Sequence, residues 1–440
     1  MAPSISTEAI ISLKEFMSNA TTSSGDRLAL PGAVLHIVDT HNNTLFSHGS
    51  GSPKPPTADS IGIIQSLTKL VGAIAYLQLV ERGLATLDDP STIATHLPEL
   101  AAKKVLIGYT IQDNGSKEWQ LEDRVGNITP RMLLNHTYGG GHTYFNTLLL
   151  EYFQDLGIWN ETNEAADTYG TILAAPLLFQ PNTKTNYGQG LDWIAVLIER
   201  LTQQDLASYL QEHIFDPLDL KSIGFEAPLG GSVTSLPINK GKFRPRKIRT
   251  GDGGFVEIDA QEPVTVERKD AFPNGKYHMG KLGTGLVSSA SDYAHLLTIL
   301  LPENNGVDPI TGHRLLTPAS VEEITKPQLP EHIRNDSRNV PASGASPIIL
   351  PGVLDAPNRD PEGSFGLACG VQGKERVLGT GKTGRSQGTV YWYGAANTEY
   401  WVDKKKGIVV FVNGNYYPWN EEVWTSFVAG VEERIYEGLH

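Results

Sequence analysis

Ser66-Leu67-Thr68-Lys69 sets a hydroxyl and an amine three residues apart at the head of a long apolar segment. Residues at that spacing share one face of an α-helix. From Ile61 to Val80 the only polar or charged side chains are Gln65, Ser66, Thr68, Lys69 and Gln78, plus the hydroxyl of Tyr76. No carboxylate falls inside the segment, and desolvation disfavours the charged form of an amine carried into such a helix. A neutral amine beside a serine hydroxyl is a base, so the pair can build a nucleophile. Chance alone supplies roughly one Ser-x-x-Lys in a chain of this length, and this chain has one.

Two other segments could complete such a site. Thr185-Asn186-Tyr187-Gly188-Gln189 stands just before a helical pattern, which places a phenol at a helix entrance; an ordinary half-buried aromatic is the competing reading. Near the C-terminus, Val390-Tyr391-Trp392-Tyr393-Gly394-Ala395-Ala396 reads as a strand. A glycine within a strand marks a place where a ligand can approach the backbone, although packing of the aromatics explains the same residues. His136 and His142 flank Thr137-Tyr138-Gly139-Gly140-Gly141 with no acidic or cysteine partner at a recognised ligand spacing, so loop structure or pocket lining outranks metal ligation. Gly379-x-Gly381-x-x-Gly384 mimics a dinucleotide fingerprint but lacks the following helix and βαβ context.

These residues need elements to hold them. Glu8 to Met17 has apolar residues at helical spacing, and Pro31 to Gly49 reads as strand, Asn42-Asn43 turn, strand. The Ser66 helix ends near Gly83, and the next two hundred residues are mainly helical, with Leu191 to Leu201, Leu206 to Ile214 and Ser291 to Leu301 the clearest helices. Gly230 to Gly280 and Pro302 to Pro361 are irregular and proline-bearing, as functional or mobile loops are. Phe365 to Val371, Thr389 to Gly394, Glu399 to Val402 and Ile408 to Asn413 read as strands, and Glu421 to Leu439 as a closing helix. The expected fold is α+β: an antiparallel sheet built from both terminal segments, flanked by terminal helices, with a large helical insertion. Residues 1–85 and 361–440 would form the sheet domain with the nucleophile helix and the glycine-bearing strand, and residues 86–360 the helical domain carrying Tyr187.

Composition narrows the function. The 440 residues are 40% hydrophobic and carry a net charge of −13, which disfavours nucleic acid or an anionic membrane as the main partner. The exception is the basic run Lys240, Lys242, Arg244, Arg246, Lys247, Arg249, read as a solvated loop before a phosphate-docking patch. Cys369 is the single cysteine, so no disulfide forms within the chain. The N-terminus lacks a signal-peptide pattern, and no apolar run suits a membrane span, so a cytoplasmic protein is expected.

Taken in order, Ser66-Leu67-Thr68-Lys69, Leu133-Leu134-Asn135-His136-Thr137, the Tyr187 segment, Ile214-Phe215-Asp216-Pro217-Leu218, the stretch from Gly283 to Tyr293 and Trp392-Tyr393-Gly394 resemble the serine β-lactamase-like family. That family includes class C β-lactamases, penicillin-binding proteins and family VIII esterases. Gly190-Leu191-Asp192-Trp193 followed by Glu199-Arg200-Leu201-Thr202 is most similar to its fungal transesterase branch. The resemblance covers most of the chain and implies a Ser66 acyl-enzyme with Lys69 and Tyr187 as base. It also implies an oxyanion hole from the backbone N–H groups of Ser66 and Ala395, and a substrate pocket with Tyr138, Tyr144, Gln189, Trp392 and Gly394. No metal or organic cofactor is implied. Two departures stand out. Gln189 replaces the asparagine of the family's Tyr-x-Asn, and Trp392-Tyr393-Gly394 stands where β-lactam-recognising members carry Lys-Thr-Gly, removing a cation for a substrate carboxylate. The literal Lys382-Thr383-Gly384 lies upstream in a loop and reads as a decoy. The expected function is therefore acyl transfer from an ester or thioester of a small metabolite to water, alcohol or amine, with an acyl carrier protein as one form of donor. A catalytically silent binding protein, and β-lactamase or peptidase activity, are the alternatives.

Overall fold

The computed structural model describes residues 2–23, 28–157, 168–227, 230–258, 266–267, 276–277, 282–337, 360 and 362–440. Much of the two long irregular stretches lies outside the described residues.

The centre is a seven-stranded antiparallel sheet in the order Ser364–Phe365, Gly370–Val371, Val390–Gly394, Thr398–Asp403, Ile408–Asn413, Ala33–Asp39, Thr44–Ser50. The first-made hairpin joins the last-made strands where Val34, His36 and Val38 stand opposite Asn413, Phe411 and Val409. Strand side chains alternate between faces, and here both faces are buried. Val34, Val38, Val409 and Phe411 pack toward the helical insertion; Leu35, Ile37, Val410 and Val412 pack under the terminal helices Thr7–Ala20 and Glu422–Gly438. Those two helices meet through Phe16 and Phe427, stacked with ring centres 5.8 Å apart. The connecting turns use the chemistry their residues allow. Asp39 Oδ1 accepts the N–H groups of His41 and Asn43, and Gly407, at φ +67°, closes the turn after Asp403.

The helix Thr68–Glu81, which carries Lys69, is buried on every side from Thr68 to Leu79, as a largely apolar helix is when it crosses a core. It packs against Gly190–Thr202, and Gly72 lets Leu191 and Leu282 approach it. The α+β architecture matches expectation, with differences in detail. Phe365 to Val371 is not one strand: it folds back as two short paired strands, Ser364 opposite Val371 and Phe365 opposite Gly370. Leu206 to Ile214 is a short helix, Leu206–Leu210, running into a π turn at Gln211–Phe215. The insertion also holds an antiparallel hairpin, Val105–Ile111 with Lys117–Glu122. Among the described residues no helix is long and apolar enough to cross a membrane.

Candidate active site

Ser66 sits in the 3-10 turn Gln65–Leu67 that opens into the helix Thr68–Glu81, so its N–H lies at the positive end of the helix dipole. The approach to that turn is tightly held. Ile63 N–H donates to Asn415 Oδ1 at 2.9 Å, Thr398 Oγ1 donates to the Ile64 carbonyl at 3.3 Å, and Tyr293 donates to the Leu67 carbonyl at 2.7 Å. Gln65 adopts φ +48°, a strained backbone for a side chain with Cβ, and its amide donates to the Tyr417 hydroxyl at 2.7 Å. Ser66 itself is half-buried.

One turn on, Lys69 is 1% exposed. Its Nζ stands 3.2 Å from Ser66 Oγ and donates to the Gly283 carbonyl at 2.7 Å. The Gly283 N–H donates in turn to the buried carboxylate of Asp192 at 2.9 Å. Asp192 therefore reaches Lys69 through the backbone of a single residue, Gly283. A Cβ at position 283 would stand 2.9 Å from Asp192 Oδ2, so a glycine is needed for this approach.

Tyr187 comes to the same place from a loop. Its ring centre lies 4.6 Å from Lys69 Nζ, and Trp392 Nε1 donates to its hydroxyl at 3.4 Å. The rings of His136, Trp392, Phe145 and His142 surround it at 4.6, 5.4, 5.7 and 5.8 Å. Backbones touch here: a Cβ on Gly188 would stand 2.7 Å from Gly141 Cα, and one on Gly190 would stand 2.2 Å from the Leu133 carbonyl. Burial, reinforced by Lys69 and then His142, holds the His136 imidazole well below the usual histidine range.

The strand Val390–Gly394 supplies the third wall. Trp392 faces the helical side with Ile64 and Tyr187, whereas Tyr391 points into the opposite core under the terminal helices. Gly394 lies against the nucleophile turn; a Cβ there would be 2.4 Å from the Ile64 carbonyl. This brings the strand end that carries Ala395 beside the start of the Ser66 turn, and Ala395 is half-buried.

The remaining predicted residues divide. Tyr138 and Gln189 are buried and line a cavity of about 10 Å³, room for roughly one water, together with Lys103, Leu177 and Trp193. Ser66, Lys69 and Tyr187 are not among its walls. Gln189 is the N-cap residue of Gly190–Thr202. Tyr144 lies on the short turn Thr143–Phe145, and its side chain lies outside the described residues. Lys382 is exposed on a tight turn whose Leu378 packs under the terminal helices, across the sheet from Ser66; Arg385 beside it is buried and pairs with Glu432 at 3.1 Å. Among the described residues no cluster of His, Cys, Asp and Glu could hold a metal. Sequence reasoning gave no role to Asp192, Gly283 or Gln65. The first two sit inside motifs that carried the family resemblance, which was the available signal.

A serine hydroxyl on a helix entrance, an amine one turn away and a phenol against that amine form a candidate active-serine site on a mixed α+β scaffold. The chain belongs to the Beta-lactamase family, whose model matches residues 17–430. Among its relatives, an acyltransferase of Monascus pilosus, mokF, is 37% identical over 334 residues, 73% of this chain and 74% of its own. The lovastatin esterase of Penicillium rubens is 28% identical over 391 residues, 86% of each chain. The unliganded simvastatin synthase of Aspergillus terreus superposes with a TM-score of 0.76 at 26% identity, over 98% of both chains.

Proposed function

We propose that this chain transfers an acyl group from an ester or thioester of a small metabolite through a Ser66 acyl-enzyme. The contact that carries the reading is the 3.2 Å approach of Lys69 Nζ to Ser66 Oγ with Tyr187 packed on the same amine. Ser66 Oγ attacks the carbonyl carbon as its proton passes to the Lys69 amine or, through it, to the Tyr187 oxygen. The backbone N–H groups of Ser66 and Ala395 bind the developing oxyanion; one such donor is worth about 10² to 10³ in rate. The proton then goes to the leaving alcohol or thiol as the C–O or C–S bond breaks. In the second half water, alcohol or amine, deprotonated by the same pair, attacks the acyl-enzyme, and the proton is returned to Ser66 Oγ as its ester C–O bond breaks. Relatives named as acyltransferase and as esterase support both outcomes. Trp392 in place of the family's lysine disfavours substrates whose recognition needs a carboxylate-binding cation.

The test is intact-protein mass and p-nitrophenol release after brief mixing with p-nitrophenyl acetate and butyrate. Wild type should show a burst and an adduct, and Ser66→Ala neither. Equal turnover by the mutant would falsify the assignment. Shortening of the adduct's lifetime by added alcohol would mark a transferase, and indifference to alcohol a hydrolase.

A carrier-bound donor is the finer reading of the partner. Of the basic run, Arg246 and Arg249 are committed to Glu226 and Glu421, and Arg244 donates to the Gly414 carbonyl. Lys240 is exposed, Lys242 and Lys247 are half-exposed, and Ile238, Phe243 and Ile248 expose apolar surface among them. Such a surface suits an acidic, amphipathic partner. Charge reversal at Lys240 and Lys247 should raise KM for a carrier-bound donor alone; an equal rise for a small thioester would reject docking.

A further inference from the structure

We propose that His136 is a positioning residue for Tyr187, gripping the segment Thr185–Gly188 from a buried left-handed turn and so fixing where the phenol stands. This rests on the acyl-enzyme reading above. Four consecutive residues meet this one histidine. Its carbonyl accepts the Thr185 hydroxyl at 2.9 Å and the Asn186 N–H at 3.1 Å. Its ring packs on the Tyr187 ring at 4.6 Å, and its Nδ1 accepts the Gly188 N–H at 3.4 Å. The imidazole also lies against Phe365, with ring centres 4.9 Å apart, which anchors the grip to the edge strand of the sheet.

The residue type follows from these contacts. The backbone of His136 is at φ +62°, a region that histidine and asparagine visit more readily than most residues. An acceptor at Nδ1 requires the neutral imidazole with its proton on Nε2. Protonation would turn Nδ1 into a donor facing the Gly188 N–H and place a positive charge beside the Lys69 amine. The charged or titratable groups around the ring are Lys69 from the nucleophile helix, His142 from the glycine-rich loop, and Tyr187 itself. Burial opposes protonation as well, since His136 is 1% exposed. A histidine confined to the neutral form holds one hydrogen-bond pattern throughout the working pH range, as a fixed bracket for a mobile proton requires.

Three variants test this: His136→Phe keeps a ring and loses the acceptor; His136→Asn keeps left-handed tolerance and an acceptor oxygen; Thr185→Val removes one donor to the His136 carbonyl. The readouts are the maximal acylation rate and half-saturating concentration with p-nitrophenyl butyrate, plus amide exchange of the peptide spanning residues 183–190. The expected result for His136→Phe is a fall of about 10²-fold in maximal rate with half-saturation within about 2-fold, and faster exchange at Gly188. His136→Asn should recover to within about 10-fold of wild type, and Thr185→Val should lose about 3- to 10-fold. Wild-type acylation rates in folded His136→Phe and Thr185→Val would overturn the inference, as would a change in half-saturation alone. If His136→Phe does not fold, a wild-type rate in Thr185→Val overturns it. If wild type forms no Ser66 adduct, the acyl-enzyme reading fails, and exchange decides the grip by itself: unchanged protection in His136→Asn and Thr185→Val rejects it.

Discussion

Ser66 arrives on a 3-10 turn and Lys69 on the first turn of the buried helix it opens into, whereas Tyr187 arrives on a loop with no regular structure of its own. On the helix, the relative position of hydroxyl and amine is set by the helical repeat, and the surrounding core holds the rod as a whole. On the loop, position depends on distant groups: His136 lies 52 residues before Gly188, and Trp392 lies 205 residues after Tyr187. Chemistry that needs a fixed pair of atoms is placed on the rigid element. The group proposed to accept and return a proton is placed where several weak contacts share the work.

The difference can be broken from the helix side. Lys69→Met keeps the helix while removing the amine, and acylation should fall about 10³-fold with the fold retained; a loss of helical circular dichroism matching the loss of activity would erase the distinction. Next comes the sheet that both regions lean on. His36 lies in Ala33–Asp39, one strand in from the sheet's edge, where burial lowers its pKa to about 4 against the opposing pull of Asp59. Because the folded state resists protonation, this contribution is complete above about pH 6.5 and is lost as pH falls toward about 4. The loss is up to about 3 kcal/mol. Urea unfolding between pH 7.5 and 4.5 should show it, and His36→Leu should flatten the slope; an unchanged slope removes His36 from the account. Tyr187→Phe should slow acylation about 10²-fold at unchanged stability, measured by burst kinetics beside thermal melts. The mildest probe is Gly188→Ala. Its new Cβ must push away the Gly141 backbone, and activity should fall about 10-fold through displacement of the tyrosine. An equal loss in Lys69→Met and Gly188→Ala would mean that the two regions are held alike.

The helix side was legible because its logic is local: a spacing of three in an apolar run is visible in any window of the chain. The architecture was legible for a related reason, since strand period at both ends and helical period between them imply a sheet closed by the termini. What escaped depended on separation in sequence. The Gly283 carbonyl that holds Lys69 lies 214 residues away, and nothing in Gly283-Thr284-Gly285 announces that partner. Phe365 to Val371 read as one strand because it is apolar throughout, but Ala368 at φ +62° reverses the chain within it. The basic run read as one patch because like charges adjoin in sequence; two of its arginines are paired with Glu226 and Glu421, 20 and 172 residues distant. Charge pairing is a property of the folded surface, and composition cannot distribute it.

The Asn415 amide that pins Ile63 is made 352 residues after it. During synthesis at roughly 5 to 20 residues per second, the opening hairpin and the nucleophile turn wait about 20 to 70 s for the strands that complete them. Throughout that interval the edge of Ala33–Asp39 that will receive Ile408–Asn413 is unpaired and open to other chains. Yield in a host cell should therefore respond to translation speed and chaperone supply more than to small changes in final stability. Loss of even the last strands would leave a serine with no sheet to face.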